Sequence, residues 1–219
     1  MPDAPDPEPF EDRGEAGELL ASRVAALVAP SPGPLLVYGL ARGGVPVAAR
    51  VARRLGAPLD ALAVRKIGHP LRPELALGAV AAGGPVVMAR PPALARASRD
   101  RLAAEAAAAA ARLDARLHAE TPALDPEGAA CVLVDDGLAT GASMVAACRW
   151  ARSAGARRVI AAAPVASREG ADALRAEADQ VVCVHEIDRF IAVGAWYRDF
   201  GQVDEGRVLA CLRAARAAD

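Results

Sequence analysis

The chain has 219 residues, of which 53% are hydrophobic and 24% charged, and its formal net charge is −1. This length and mixture are typical of one globular domain with its own core, and the small charge gives no electrostatic reason to expect nucleic acid or a membrane surface as a partner. No uncharged apolar segment approaches the length that spans a bilayer, and the acidic, proline-rich residues 1–9 lack the basic and apolar stretches of a targeting signal. We therefore expect a cytoplasmic protein with a disordered tail at 1–9 and a single domain at 10–219.

Cysteine and histidine are sparse and widely spaced. The four cysteines form no CxxC pair, and none has a histidine at metal-ligand spacing, so we expect reduced thiols and no metal site built by the protein alone. His69, His118 and His185 show no partner pattern for catalysis, and we expect them on the surface or in loops.

Apolar spacing predicts strands and helices in alternation along the chain. Strands separated by helices of ten or more residues favour an α/β domain with a central, mainly parallel sheet flanked by helices, in which ligands bind beyond the carboxyl ends of the strands. Gly56 is expected to end the second helix, and Gly83-Gly84 to turn a hairpin. In chain order the segments are helix 15–28, strand 35–40, helix 45–55, strand 59–64, hairpin strands 75–80 and 86–88, helix 96–118, strand 130–134, helix 142–153, strand 159–164, helix 168–178, strand 181–185 and helix 204–214.

The most informative segment, residues 131–143, is an apolar strand followed by two carboxylates, a short Gly/Thr/Ser loop and a helix. Backbone N–H groups of such a loop point at a common spot, where the helix dipole favours an anion, whereas the carboxylates suit the adjacent hydroxyls of a ribose. A sugar 5-phosphate satisfies both halves; the alternative is a strand-ending turn followed by a helix N-cap. The residues concerned are Asp135, Asp136, Gly137, Leu138, Ala139, Thr140, Gly141, Ala142 and Ser143.

Cations follow two other strands of the predicted sheet. Arg42-Gly43-Gly44 comes directly after the first core strand, and a guanidinium beside glycine N–H groups suits a diphosphate. Arg65-Lys66 follows the next strand and adds two cations at the same sheet edge. By themselves these segments are also explained by a solvated turn and a solvated basic pair.

Residues 131–143 closely resemble the phosphoribosyl pyrophosphate signature of type I phosphoribosyltransferases. Residues 10–17, 39–47, 64–78 and 190–202 are similar to a bacterial subgroup of these enzymes whose acceptor is often unassigned. The resemblance implies the type I phosphoribosyltransferase fold with a small hood or hairpin region. It also implies transfer of the 5-phosphoribosyl group from phosphoribosyl pyrophosphate to a small nitrogen or hydroxyl acceptor, with release of pyrophosphate.

The same resemblance implies the roles of the site residues. Mg²⁺ is expected as the cofactor, held by the diphosphate and the ribose hydroxyls, with Asp199 as one further contact. A mobile segment that excludes water is expected within 67–95. The residues implied are Asp135, Asp136, Arg42 and Lys66 in catalysis, Gly137 to Ser143 on the 5-phosphate, and Arg42, Gly43, Gly44, Arg65 and Lys66 on the pyrophosphate.

Two positions and one segment depart from the pattern of the subgroup. Ala41 stands where proline is common before Arg-Gly-Gly, and Ser143 replaces threonine but keeps the hydroxyl. Residues 185–189 differ more strongly from the proline-containing sequence usual there, and this difference bears on the acceptor.

The acceptor side is predicted in the C-terminal segment, about 185–219. Phe190 lies where related enzymes place a ring that stacks on a planar acceptor. Glu186 and Asp188 beside it suggest a cationic acceptor, such as an aminocyclitol or amino sugar of specialised metabolism, in place of a nucleobase-like compound; the alternative is a solvated loop. The remaining aromatic residues nearby are expected to form a cluster that seats the final helix: Trp196, Tyr197 and Phe200.

Two functions are compatible with this resemblance. The first is the enzyme, expected as a homodimer because dimers are common in the family. The second is a non-catalytic regulator that senses phosphoribosyl pyrophosphate on the same fold. Arg42 and Lys66, which retain the leaving-group contacts, favour the enzyme, as does the absence of a basic face or a DNA-binding module from the sequence. A hydrolase on a similar sheet would need a nucleophile elbow or an Asp-x-Asp motif, and the sequence has neither.

Overall fold

The computed structural model describes residues 7–27, 33–88, 94–119 and 122–217, with the side chains of 72–75 outside that description. Strands and helices alternate in this part of the chain, except at residues 59–88, where three strands follow one another. The strands are β1 (Leu35–Ala41), β2 (Leu59–His69), β3 (Arg72–Ala81), β4 (Val86–Met88), β5 (Ala130–Val134), β6 (Arg158–Ser167) and β7 (Gln180–Ile187). The helices are α1 (Arg13–Leu27), α2 (Gly44–Leu55), α3 (Arg96–Leu117), α4 (Ala142–Ser153), α5 (Arg168–Arg175) and α6 (Glu205–Arg216), and a 3₁₀ helix lies at Val193–Trp196.

The seven strands form one sheet in the order β4-β3-β2-β1-β5-β6-β7. The neighbours from β2 through β7 in this order are parallel, whereas β3 pairs antiparallel with both β2 and β4. The predicted α/β fold with a mainly parallel sheet is therefore confirmed, as is the hairpin around Gly83-Gly84. Gly56 ends α2 in the left-handed conformation, as expected.

Helices cover both faces of the sheet, so its central strands are buried on both sides. All five residues of β5 are buried, as expected for a parallel strand between two layers of helices. Val24 of α1, Val51 of α2 and Leu212 of α6 belong to the core on one face, and alanines of α4 with Leu174 of α5 belong to the core on the other. The many small side chains let the helices lie close to the sheet.

Two strands extend past their predicted ends, and both extensions affect the site. β2 continues to His69, so the prediction that Arg65-Lys66 follows a strand is wrong; the pair lies within one. The reason is that β2 pairs with β1 only as far as Ala63 and then continues against β3. β6 continues to Ser167 because its last residues pair with β7 and form a bridge with Leu138.

The segment 67–95, predicted to move over the site, is built from two consecutive antiparallel pairings. β2 turns into β3 around Pro70 and Leu71, and β3 pairs with β4. Residues 89–93 of this segment lie outside the described residues, and closure over the site stays a prediction. Residues 1–6 of the predicted tail also lie outside the described residues.

His118 lies in the turn after α3, as expected for a loop position, but its side chain is not on the open surface. It follows the last turn of α3 with only 11% of its side chain exposed, and its Nε2 is 3.0 Å from Oδ1 of Asp60, a carboxylate that is 1% exposed. Oδ2 of Asp60 accepts the N–H of Leu124 at 2.8 Å. The pair thus connects β2 to the end of α3 and to the segment before β5. Because its two residues are far apart in sequence, no local sequence pattern predicts the contact.

The four cysteine thiols are free, as expected. In the described part of the chain, no helix has both the length and the apolar character needed to cross a bilayer.

Candidate active site

A cavity of about 690 Å³ opens at the edge of the sheet where β1 and β5 end. Ala41 of β1 is in register with Ala63 of β2, and Gly39 of β1 with Val134 of β5, so the residues that follow these positions meet at one edge. Eight predicted site residues are among those that line the cavity: Arg42, Gly43, Arg65, Lys66, Asp135, Asp136, Gly137 and Ser143.

The loop at residues 135–143, which we call the donor loop, offers a row of free backbone donors. Within the described part of the chain, the N–H groups from Ala139 to Met144 form no backbone hydrogen bond, and the first bond of α4 runs from the Val145 N–H to the Gly141 carbonyl oxygen at 2.8 Å. No side chain caps α4, so the N-cap alternative does not hold and the positive end of the helix dipole stays available. This arrangement suits a phosphate.

Gly141 gives the donor loop its shape. Its φ of +73° lies in the left-handed region, and a Cβ at this position would come within 2.9 Å of the Gly170 carbonyl oxygen. Ser167 fixes the same region, because its hydroxyl donates to the Ala139 carbonyl oxygen and accepts the N–H of Gly170. The loop is therefore held against the start of α5.

The two carboxylates of the donor loop have different surroundings. Burial, followed by the negative charge of Asp136, raises the pKa of the Asp135 carboxyl well above its ordinary value, and the Lys66 ammonium acts in the opposite direction. Asp136 instead forms an ion pair with Arg13, whose Nε and Nη2 both lie 2.8 Å from Oδ2. The two neighbouring carboxyls therefore differ in their partners: Asp135 is buried near Lys66, and Asp136 is ion-paired with Arg13.

The turn Arg42-Gly43-Gly44 lies directly beside the donor loop. The Ala41–Arg42 peptide bond is cis. In the described residues the N–H groups of Gly43 and Gly44 form no backbone hydrogen bond, and no side chain caps α2. A guanidinium and free N–H groups at a helix start can together receive a diphosphate.

Arg65 and Lys66 point to opposite sides of β2 because side chains alternate along a strand. Lys66 interacts electrostatically with Asp135. For Arg65, burial and then the charges of Arg42 and Arg116 lower the pKa, whereas Glu205 raises it. Arg116 is exposed and binds the Glu205 carboxylate through Nε and Nη2, each at 2.8 Å. The side of the cavity that Arg42, Arg65 and Lys66 line is therefore rich in cations.

Sequence reasoning missed Arg13 and the wall that it contacts. Its Nη1 donates to the Gly201 carbonyl oxygen at 2.8 Å, and its guanidinium carbon lies 3.9 Å from the centre of the Phe200 ring. The Tyr197 hydroxyl donates to the Asp136 carbonyl oxygen at 2.5 Å. The matched segments 10–17 and 190–202 contained these residues, but nothing in their spacing assigned them to the cavity.

The predicted acceptor residues do not line this cavity. Phe190 is half-buried and packs against the core, Glu186 is paired with Arg175 at 2.9 Å, and Asp188 is paired with Arg168. Among the residues described, Val193 and Phe200 provide apolar surface to the cavity on its C-terminal side. A role for the three predicted residues in acceptor binding stays a prediction.

No group of three or more His, Cys, Asp or Glu side chains in the described ranges is arranged to hold a metal ion. Asp199, the predicted further contact, is exposed and accepts the Gly201 N–H at 3.1 Å. It lines a second cavity, of about 760 Å³, between α2 and α6, which the first cavity adjoins at Arg13 and residues 201–203. The first cavity fits a Mg²⁺ that arrives with its own diphosphate ligands, because it presents carboxylates and free N–H groups but no cage.

Comparisons with known proteins agree with this geometry. A family model described as phosphoribosyl transferase domain matches residues 31–198. Two Mycobacterium tuberculosis proteins with phosphoribosyl transferase in their names, MT0597 and Rv0571c, are 41% identical over 210 residues, which is 94% of this chain and 47% of each relative. The chain thus spans about half the length of these curated relatives.

A solved structure also resembles the whole fold. The crystal structure of TT1426 from Thermus thermophilus has 46% sequence identity and a TM-score of 0.78, and the match covers 93% of this chain and 97% of that one. The resemblance first seen in residues 131–143 is confirmed by the family match and by the relatives. The chain belongs to the phosphoribosyl transferase domain family.

Proposed function

We propose that the protein transfers the 5-phosphoribosyl group from phosphoribosyl pyrophosphate to a small nitrogen or hydroxyl acceptor and releases pyrophosphate, with Mg²⁺ carried by the donor. One observation carries the proposal: a single cavity of about 690 Å³ is lined by Asp135, Asp136, Gly137 and Ser143 of the donor loop, by Arg42 and Gly43 of the turn, and by Lys66. In phosphoribosyl pyrophosphate, the 5-phosphate and the ribose hydroxyls match the donor loop, and the diphosphate matches the turn and Lys66.

Each part of this lining has a distinct task in the proposed reaction. The free N–H groups of residues 139–144 receive the 5-phosphate, and the carboxyls of Asp135 and Asp136 accept the ribose hydroxyls. Arg42 and Lys66 contact the pyrophosphate. As the bond to C1 of the ribose breaks, negative charge grows on the leaving group, so these cations stabilise the transition state more than the ground state. Mg²⁺, when bound, adds charge neutralisation on the same diphosphate.

The acceptor is a nucleobase-like compound or an amine-bearing sugar or cyclitol. Phe200 and Val193 support an apolar or planar group in the cavity, since both line it. Recognition of a cationic group by Glu186 and Asp188, stacking on Phe190, a homodimeric state and a cytoplasmic location are further parts of this proposal.

The test is incubation with phosphoribosyl pyrophosphate, Mg²⁺ and a panel of bases, amines and aminocyclitols, followed by measurement of pyrophosphate release. We expect release that depends on one acceptor class and is lost in Lys66→Met. Arg198→Ala is the matched control, because Arg198 is an exposed cation paired with Glu11 at 3.5 Å, away from the cavity lining. Donor binding in calorimetry without release on any acceptor would overturn the enzyme in favour of the sensing regulator, and absence of donor binding would exclude both.

A further inference from the structure

All three guanidinium nitrogens of Arg13 bind residues that line the cavity, Asp136 on one wall and Gly201 on the other. Nε and Nη2 bind Oδ2 of Asp136 at 2.8 Å, and Nη1 binds the Gly201 carbonyl oxygen at 2.8 Å. The guanidinium also lies 3.9 Å from the centre of the Phe200 ring, within the range of a cation–π contact. One side chain therefore joins the donor loop to the opposite wall.

This ion pair is shielded from solvent, unlike most of the charged pairs in the described part of the chain. The side chains of Arg13 and Asp136 are each 13% exposed, whereas the pair of Arg50 and Glu18 on the same side of the protein is 39% and 49% exposed. A shielded, hydrogen-bonded pair holds its geometry more firmly than an exposed one, and removing one partner leaves the other charge uncompensated.

A hydrogen bond to its backbone carbonyl also fixes the position of Asp136. The Tyr197 hydroxyl donates to its carbonyl oxygen at 2.5 Å, and Tyr197 stacks on Phe200 with ring centres 5.0 Å apart. Because Oδ2 of Asp136 is committed to Arg13, Oδ1 is the oxygen left to accept a ribose hydroxyl. The direction of that oxygen is set by Arg13.

We propose that Arg13 is a positioning residue of the donor site, which orients the Asp136 carboxylate for the ribose hydroxyls and couples it to the wall formed by Phe200 and Gly201. The inference rests on the proposed function, since it assumes that the bound sugar is the ribose of the donor. It assigns a task to the N-terminal segment, which supplies none of the site residues predicted from the sequence.

The variants Arg13→Gln and Arg13→Lys test the proposal, with Arg23→Gln as the control. Arg23 is on the same helix, and it donates to the Cys183 carbonyl oxygen at 3.1 Å, far from the cavity lining. Calorimetry then compares ribose 5-phosphate with inorganic pyrophosphate as ligands of each variant. We expect Arg13→Gln to weaken ribose 5-phosphate about 10- to 100-fold, as for loss of a charged hydrogen-bonded partner, and pyrophosphate less than about threefold.

A double-mutant cycle separates positioning from a general structural role. In an Asp136→Asn background, Arg13→Gln should add no further loss of ribose 5-phosphate affinity, because the group that it orients is gone. Arg13→Lys should restore less than about half of the ribose 5-phosphate affinity that is lost in Arg13→Gln, because an ammonium lacks the planar fork of a guanidinium. Equal weakening of both ligands, or additive losses in the cycle, would overturn the proposal. Normal sugar binding by Arg13→Gln removes the inference alone, whereas failure of the unaltered protein to bind the full donor removes the proposed function as well.

Discussion

The carboxylate of Asp136 rests on the backbone of Gly43. A Cβ atom at position 43 would lie closer to Oδ2 of Asp136 than real Cβ contacts allow. The donor loop and the turn after β1 are therefore in direct contact, and the hydrogen atom of a glycine is what lets them approach. The two segments act as one surface toward a ligand.

Gly43→Ala is expected to push the Asp136 carboxylate out of place. The added methyl group has no room, so we expect a loss of about 1–3 kcal/mol in the free energy of unfolding, typical of overpacking. The affinity for phosphoribosyl pyrophosphate should fall at least about tenfold, since the carboxylate and the neighbouring N–H groups shift together. Urea denaturation and calorimetry measure the two effects.

Gly206→Ala is the matched control for that substitution. Gly206 lies in the first turn of α6, and a Cβ there would meet Oδ1 of Asp204 at 3.4 Å, an ordinary contact. Alanine in a helix should raise stability by about 0.5–1 kcal/mol and leave donor affinity unchanged. If both alanine variants behaved alike, the close contact between Gly43 and Asp136 would not be the cause.

Much of the fold was predictable because its central strands are buried on both faces. The strand 130–134 and the helix 142–153 were predicted with the observed bounds, since apolar runs and the loop between them leave little ambiguity. The extension of β2 was missed because Arg65-Lys66 interrupts the apolar run. Only the partner strand β3, whose pairing is not visible in the sequence, lets this polar stretch remain in the sheet.

The site was predictable where its residues are close in sequence, and not where they are distant. The donor loop and the turn at 42–44 are local motifs, each readable from a few consecutive residues. Arg13 and Asp136 are 123 positions apart, so no spacing rule could pair them. Phe200 was noticed as an aromatic residue, but its position over the guanidinium of Arg13 depends on tertiary packing.

Asp135→Asn is expected to stabilise the fold while impairing donor binding. Burial and the charge of Asp136 raise the pKa of the Asp135 carboxyl above its ordinary value of 3.8. A group whose pKa is raised by folding makes its full contribution to stability at pH values below its pKa in the unfolded chain. That contribution is lost as pH rises through its pKa in the folded protein, so the ionised carboxyl opposes folding at neutral pH. Asparagine keeps an acceptor for the Asp136 N–H, 2.9 Å away, without that cost.

Thermal unfolding at several pH values checks this prediction. At pH 7 the variant should be more stable by at least about 1 kcal/mol, the order of magnitude of the cost of burying an imperfectly satisfied polar group. The difference should shrink as pH falls to about 4 and below, and be smallest near pH 3, where the carboxyl is largely protonated in both states. A variant less stable than the unaltered protein at pH 7 would show that an ionised Asp135 is well accommodated.

His118→Gln is expected to destabilise the protein in a pH-dependent way. Hydrogen bonds to Asp114 and Asp60 raise the pKa of His118 to about 10 from an ordinary 6.5. Its contribution to stability is therefore full below pH 6.5 and is lost as pH rises toward 10. At pH 6 the variant should lose about 3 kcal/mol, as for breaking a buried pair, and near pH 10 much less.

The control for this experiment is His69→Gln. The His69 ring is half-buried in the β2–β3 turn, where Nδ1 accepts the Leu71 N–H at 3.1 Å. We expect a change below about 0.5 kcal/mol at every pH, as for most substitutions outside the core. A loss in His118→Gln that is equal at pH 6 and pH 10 would mean that packing, and not the charge on the imidazole, stabilises the end of α3.

The double variant Glu186→Gln/Asp188→Asn tests whether the acceptor is cationic. Both carboxylates already pair with arginines of α5, but these pairs are exposed and contribute little, so an acceptor amine can replace them. We expect the KM of an amine-bearing acceptor to rise about two- to fivefold, with kcat and the KM of the donor unchanged. Glu177→Gln, which breaks the similar surface pair with Arg149, should leave all three constants as they are. An unchanged acceptor KM in the double variant would restrict these carboxylates to surface ion pairs, and recognition would then depend on the wall that Phe200 and Val193 present to the cavity.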